Sequence, residues 1–195
     1  PLVKALNEEQ IAKAKVNLDS ISGIEVKATL KRYVIHQKTL AHILGYVGDI
    51  SANDIKRDSL LKDLQNTQIG KTGIEKEYDN ILRGKSGIQT QERDVKGKLV
   101  RVLETQGAED GKNIYLSIDQ ELQEHLFKLF KNRRGALVAL EPKTGLVRAL
   151  ISSPSFNPNV LNSIVDPKEV ESLFSNNESP IFNRAISGQY PPAST

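Results

Sequence analysis

Residues 135–151 read Gly-Ala-Leu-Val-Ala-Leu-Glu-Pro-Lys-Thr-Gly-Leu-Val-Arg-Ala-Leu-Ile. Two apolar runs, Ala136–Leu140 and Leu146–Ile151, flank a five-residue connection, Glu141–Gly145. Its Pro and Gly are turn formers, so the stretch is expected to be a β-hairpin. Upstream, Asp119 stands as a cap ahead of Leu122, Leu126, Leu129 and Phe130, whose spacing is that of an amphipathic helix. Lys131, Arg133 and Arg134 suit the negative end of that helix, and Gly135 is expected to end it. Ile114–Ile118 reads as a further strand.

Before this region, Glu109-Asp110-Gly111-Lys112 is a turn signal and the expected domain boundary. A helix is expected over residues 7–18, where Asn7 and Gln10 stand as in a capping box and Ile11, Ala14 and Leu18 share a face. Ile24, Val26, Ala28 and Leu30 alternate with polar residues, the period of a half-buried strand over residues 24–31. A short helix over residues 37–44 should stop at Gly45. Ser51 with Asp54 opens a polar helix to about Leu64. Ile74, Tyr78, Ile81 and Leu82 stripe another helix, closed by Gly84 and Gly87. Residues 88–95 and 99–104 pair as a hairpin around Lys96-Gly97-Lys98, and residues 152–193 are expected to be mostly ordered loop. The expected fold class is therefore α+β in two domains, residues 1–112 and 113–195.

Composition narrows the function. The 195 residues are 38% hydrophobic and 26% charged, enough for a packed core and too apolar for a disordered tail. No apolar run reaches half a membrane span, and no signal peptide opens the chain. Net charge is +3, from 27 basic and 24 acidic residues. The charges are interspersed with no basic stripe, which gives nucleic-acid binding no support. The absence of cysteine rules out disulfides, thiolate zinc sites and cysteine nucleophiles, and fits an oxidising compartment. The absence of methionine suggests that Pro1 is not a native start and that the chain is a piece of a longer one.

Few residues carry a chemical signal. His36, His42 and His125 lack metal-ligand spacing and read as ordinary polar or half-buried side chains. No metal or organic cofactor is expected. Glu75 and Glu77, two apart on a helix, face away from each other. Gly70-Lys71-Thr72-Gly73 lacks the spacing of a phosphate loop and reads as a helix N-terminus. The exception is the run Pro191-Pro192-Ala193-Ser194-Thr195. Two prolines can open a helix and place Ser194 in its first turn, where free amides and the helix dipole stabilise a developing alkoxide. Ser194 is the candidate nucleophile. In a Ser-x-x-Lys arrangement its base lies one helical turn on, at the second residue after Thr195. Thr195 is off that face, and Ser187 falls in the preceding loop. Taken alone, the run also reads as a plain turn.

The surrounding blocks resemble class B penicillin-binding proteins. Ala41-His42-Ile43-Leu44-Gly45-Tyr46-Val47-Gly48 is one such signature. Gly70-Lys71-Thr72-Gly73-Ile74-Glu75-Lys76-Glu77-Tyr78-Asp79 is another, followed by Leu82-Arg83-Gly84 and Gly87. Leu116–Asp119 with Leu122-Gln123 looks like the entry to the family's transpeptidase domain, and Gly135–Gly145 like its first hairpin. Ser153–Asn159 follows, then Asn183-Arg184-Ala185, Gly188, Tyr190-Pro191-Pro192 and Ser194-Thr195. The match is most like the elongation-type branch, that of penicillin-binding protein 2. Some features depart from the pattern. Val34 stands where the family has proline, and Ala193 replaces the glycine before the serine. The first pedestal motif and the membrane anchor are not seen. Two Lys-Thr-Gly triplets, Lys71–Gly73 and Lys143–Gly145, precede Ser194 and so fail the family's motif order. Ser51-Ala52-Asn53 fails it likewise and reads as a helix cap.

The resemblance implies a mixed helix/strand pedestal over residues 1–112 and the N-terminal portion, helix and hairpin, of a transpeptidase domain over 113–195. It implies a peptidoglycan D,D-transpeptidase of cell elongation in which Ser194 attacks peptidoglycan stem peptides and is acylated by β-lactams. The protein would be the periplasmic part of an inner-membrane protein whose pedestal docks MreC and RodA, with Glu75 and Arg83 as pedestal-motif residues anchored by the segment around Lys31–Tyr33. The 195-residue chain alone is expected to be inactive. The alternatives are a partner-binding module without catalysis, or a division-type or β-lactam-sensing relative.

Overall fold

The computed structural model of the chain describes residues 6–18, 24, 26, 31–64, 68–95, 97, 99–131, 133–162 and 167–190. In chain order the elements are α1 (Glu8–Leu18), α2 (Gln37–Leu44), β1 (Val47–Asp49), α3 (Ala52–Arg57), a 3-10 turn (Ser59–Asp63), β2 (Gln68–Gly70), α4 (Gly73–Glu77) and α5 (Asp79–Arg83). There follow β3 (Ile88–Arg93), β4 (Leu99–Gln106), α6 (Gln120–Phe130), β5 (Gly135–Leu140), β6 (Val147–Ser153), α7 (Asn159–Asn162), α8 (Pro167–Phe174) and α9 (Arg184–Ser187). They group into two units, Pro1–Lys31 with Arg83–Lys112, and Arg32–Leu82 with Asn113–Thr195. The expected cut after residue 112 is one of the places where the chain passes between units, and residues 32–82 group with the segment that follows it.

In the first unit, α1 opens with a reciprocal cap. Asn7 N–H donates to Gln10 Oε1 at 2.9 Å, and Gln10 N–H to Asn7 Oδ1 at 2.8 Å, the capping box that the sequence leads one to expect. β3 and β4 pair antiparallel, Ile88 opposite Gln106, with register shifts at Thr90/Gln91 and Glu92/Arg93. Gly97 turns the hairpin at φ 79°. At its base Lys85 and Glu109 exchange backbone hydrogen bonds of 2.9 and 3.0 Å. Most of the strand expected over residues 24–31 lies outside the described residues.

The second unit carries the core, in which Ala41, Ile69, Ala149, Ile151 and Phe156 are buried. α2 ends as expected at Gly45, whose N–H returns to Ala41 O at 2.8 Å. β1 pairs antiparallel with β2, Val47 opposite Gly70. β5 pairs with β6 from Gly135 opposite Ser153 to Leu140 opposite Val147, the expected hairpin. Burial alternates along β5, as a half-covered strand requires. α6 is capped by Asp119 Oδ1, which accepts from Leu122 N–H at 3.0 Å.

Five expectations need correction. The helix expected from Ser51 to Leu64 stops at Arg57, because α3 buries none of its residues; Asp58 is extended at φ −137°, ψ 105°. The stripe from Ile74 to Leu82 is two short helices broken at Tyr78. There Asp79 Oδ1 takes the N–H of Gly70 at 2.9 Å, so Glu75 and Arg83 do not share one helix. Ile114–Ile118 makes no strand. Ser117 Oγ donates to Val147 O at 2.8 Å, a side-chain bond where a ladder would need backbone. α6 ends at Lys131, left-handed at φ 47°, while Gly135 begins β5. The described part of residues 152–193 includes three short helices, α7, α8 and α9. One starts at Pro167, where a missing N–H costs nothing, and another is capped by Asn183.

Candidate functional site

Ser194 lies outside the described residues, which end at residue 190. What is described is the structure leading to it. Phe156 is buried, with the ring of His42 edge-on at 5.4 Å and that of Tyr46 at 6.4 Å. The blocks Ala41–Gly48 and Ser153–Asn159, far apart in sequence, therefore meet as one cluster.

Polar side chains from residues 113–195 hold the backbone of residues 34–47. Asn159 accepts from Val34 N–H at 2.8 Å and donates back to Val34 O at 2.9 Å. Ser155 Oγ donates to Lys38 O at 2.7 Å. Gln123, fully buried, donates to Thr39 O at 2.9 Å and Leu150 O at 2.7 Å, and accepts from Leu150 N–H at 2.8 Å. Asn162 Oδ1 accepts from Val47 N–H at 2.8 Å, and Asn183 Nδ2 donates to His42 O at 3.2 Å. These bonds read backbone and place no demand on the side chains of the segment they grip. The bonds at Val34 and Val47 satisfy main-chain groups that burial would otherwise leave costly.

Arg184 organises the loop before the last short helix. It is buried, and its guanidinium donates to the carbonyls of Glu178, Ser179 and Phe182. It also stands 5.8 Å from the Phe182 ring centroid. Its backbone N–H donates to Ser152 Oγ at 2.9 Å, and that hydroxyl donates to Phe182 O at 3.1 Å.

The other candidates settle as structure. Lys71, of the Gly70–Gly73 run, pairs with Asp54. Lys71 together with the Ser51 hydroxyl and amide holds the Asp54 carboxyl well below the usual carboxylate range. The lysine is thus committed, and Thr72 precedes α4 as a helix N-terminus. Ser51 and Asp54 form a capping box. In the hairpin loop Thr144 Oγ1 donates to Glu141 Oε2 at 2.9 Å, while Arg148, the larger influence, lowers the Glu141 pKa. Glu75 accepts from Arg32 Nε at 2.8 Å, a partner from the 31–33 segment. Burial raises the Glu75 pKa, against the pull of Arg32. Arg83 is the last residue of α5. His36 Nδ1 faces Glu124 at 2.9 Å and His125 is exposed. No group of three metal-ligating side chains occurs among the described residues.

The family model of the penicillin-binding protein dimerisation domain matches residues 1–116, and that of the penicillin binding protein transpeptidase domain matches residues 135–195. The chain belongs to the penicillin-binding protein family. Within the family it is most like penicillin-binding protein 2. The peptidoglycan D,D-transpeptidase MrdA of Acinetobacter baumannii is 39% identical over 192 residues, 97% of this chain and 28% of that protein. MrdA of Escherichia coli is 37% identical over 199 residues, covering 100% of this chain and 31% of that protein. PBP2 of Helicobacter pylori in complex with MreC aligns with a TM-score of 0.78 at 30% identity, over 93% of this chain and 34% of that one. The chain thus spans about three tenths of the length of the curated relatives it matches.

In this penicillin-binding protein the backbone clamps are the feature that motif reading missed. Beyond the blocks that carry the family resemblance, their sequence signal is a polar residue on an apolar face, as with Gln123 among Leu122, Leu126 and Phe130. A second consequence of the cluster is pH dependence. Burial lowers the His42 pKa from 6.5 to about 4, and nearby Arg184 adds to the effect; the Pro154 and Pro180 carbonyls oppose it. Its Nε2 is buried with no hydrogen-bond partner among the described residues. Between pH 6.5 and 4 the unfolded chain binds the proton that the folded chain refuses. Stability from this residue is therefore complete above the unfolded pKa and is lost as pH falls, by about 3 kcal/mol in all. Urea unfolding at pH 7 and pH 4.5 should show this loss, and His42→Phe should remove that share of the slope. An unchanged pH slope in the variant would refute it.

Proposed function

We propose that the protein is a serine-type peptidoglycan D,D-transpeptidase of cell elongation, with Ser194 as its nucleophile. The observation that carries the reading is the meeting of Ala41–Gly48, Ser153–Asn159 and Asn183–Gly188 in one cluster, directly ahead in sequence of Tyr190–Thr195. Relatives named peptidoglycan D,D-transpeptidase support it. In this reading the Ser194 hydroxyl gives its proton to a base and its oxygen bonds to the carbonyl carbon of the penultimate D-alanine. The bond to the terminal D-alanine breaks, and that residue leaves with a proton. An amine of a neighbouring strand then displaces the serine from the ester. Covalent catalysis divides one acyl transfer into two easier steps. A β-lactam opens its ring on the same oxygen.

Residues 1–112 then form the pedestal, with Glu75 and Arg83 among its motif residues, and residues from 113 form the start of the transpeptidase domain. The pedestal docks MreC and RodA. Support comes from the Helicobacter pylori relative, solved in complex with MreC, and from exposed Leu99, Val100 and Leu103 on β4. The protein functions in the periplasm, tied to the inner membrane. Among the described residues no helix is long and apolar enough to cross a membrane.

The test is labelling by fluorescent penicillin of the protein as its gene encodes it. One label per chain is expected, with mass spectrometry placing it on Ser194 and Ser194→Ala abolishing it. A label on Thr195 or Ser187, or undiminished labelling of the alanine variant, would overturn the assignment.

A further inference from the structure

We infer that Asn183 is a positioning residue for the nucleophile, joining the backbone of α2 to the helix that leads to Ser194. The inference rests on the transpeptidase reading above. The Asn183 side chain has two partners. Its Oδ1 accepts the N–H of Ala185 at 3.1 Å and so caps α9, while its Nδ2 donates to His42 O at 3.2 Å, in the last turn of α2. One planar amide supplies both the acceptor and the donor, which no carboxylate or hydroxyl can do in the same geometry.

The next residue fixes the helix from the other side. Arg184 N–H donates to Ser152 Oγ on β6 at 2.9 Å. Two consecutive residues thus fix α9 to α2 and to β6. Beyond the helix the chain folds back closely. A Cβ on Gly188 would lie 2.5 Å from Arg184 O and 2.6 Å from the Tyr190 ring. The direction of α9 is therefore carried to Tyr190. In the sequence Pro191 and Pro192 come next, each with a restricted φ, and Ser194 is four residues after Tyr190. Eleven positions along the chain separate Asn183 from the serine. A loosened tether shows first in the geometry of attack, on which acyl transfer depends steeply.

Substitutions separate the tether from the cap. Asn183→Asp and Asn183→Ser each keep an oxygen that can cap α9, and neither keeps the Nδ2 donor to His42 O. The aspartate adds a charge beside that carbonyl; the serine does not. In the protein as encoded, acylation by a penicillin is followed to saturation, giving the limiting rate constant and the half-saturating concentration separately. Both variants are expected to lose about tenfold in the limiting rate constant, with the half-saturating concentration and the final label per chain unchanged and only a small, similar fall in melting temperature from the freed His42 carbonyl. A purely structural role would instead show only in the melting temperature or the labelled fraction and leave the rate of the labelled fraction intact. That result, or wild-type rates in both variants, would overturn the positioning role alone. Failure of the unaltered protein to label would overturn the transpeptidase reading, and this inference with it.

Discussion

Gly45→Ala is expected to destabilise the second unit by about 4 kcal/mol or more. Gly45 sits at φ 79°, ψ −152°, a backbone region that is essentially glycine-only. The strain alone costs about 1–3 kcal/mol. The space is also closed. A Cβ would stand 2.0 Å from Thr72 O and 2.4 Å from Thr72 C, both backbone atoms. Relief would need the start of α4 to move away from the end of α2. Gly73 interlocks there, since its own Cβ would meet Ile43 O at 2.6 Å. Gly97 provides the comparison: it has the same φ, 79°, and a Cβ there would meet nothing within 4 Å. Gly97→Ala should therefore cost only the backbone strain, about 1–2 kcal/mol. Thermal unfolding of the two variants should separate them clearly. Equal shifts would show that the close approach at Thr72 is easily relieved.

Arg184→Ala is expected to cost about 3 kcal/mol. The guanidinium is buried and donates to three carbonyls of the loop it closes. Hydrogen bonds from a charged group are each worth about 1.5–3 kcal/mol and do not add fully. Truncation removes them together and removes the contact with the Phe182 ring, while the Phe182 carbonyl keeps its bond from Ser152 Oγ. Arg184→Lys should recover less than half of the loss, because one ammonium cannot reach the fork of acceptors that a planar guanidinium spans. Urea unfolding measures both. A loss below about 1 kcal/mol for the alanine variant would mean that water replaces the guanidinium without strain.

Much of the fold and the family was legible in the sequence, and the legible parts share a cause. The box of Asn7 and Gln10, the stop at Gly45, the cap at Ser51, the cap at Asp119 and the hairpin across Glu141–Gly145 each rest on bonds between residues a few positions apart. Such bonds form wherever the local sequence permits, so a local pattern is enough to find them. The family blocks were legible for another reason: their residues, among them His42, Phe156 and Asn183, stand along the chain in the order that the resemblance implies.

The errors also share a cause. The break at Tyr78 follows from Asp79 turning to Gly70, and the missing strand at Ile114–Ile118 from Ser117 bonding to Val147 O across 30 residues. Gln123, Asn159, Asn162 and Asn183 looked like ordinary polar residues, or at most like parts of a motif. Their partners within residues 34–47 lie 84 to 141 positions away, and nothing local marks them. The sequence by itself determined the caps, the turns, the amphipathic stripes and the family, because these depend on neighbours along the chain. Only the tertiary structure decided which polar side chains grip the backbone of residues 34–47, and that residues 32–82 group with the segment after Lys112. A buried amide is satisfied by whatever main chain the packing brings to it.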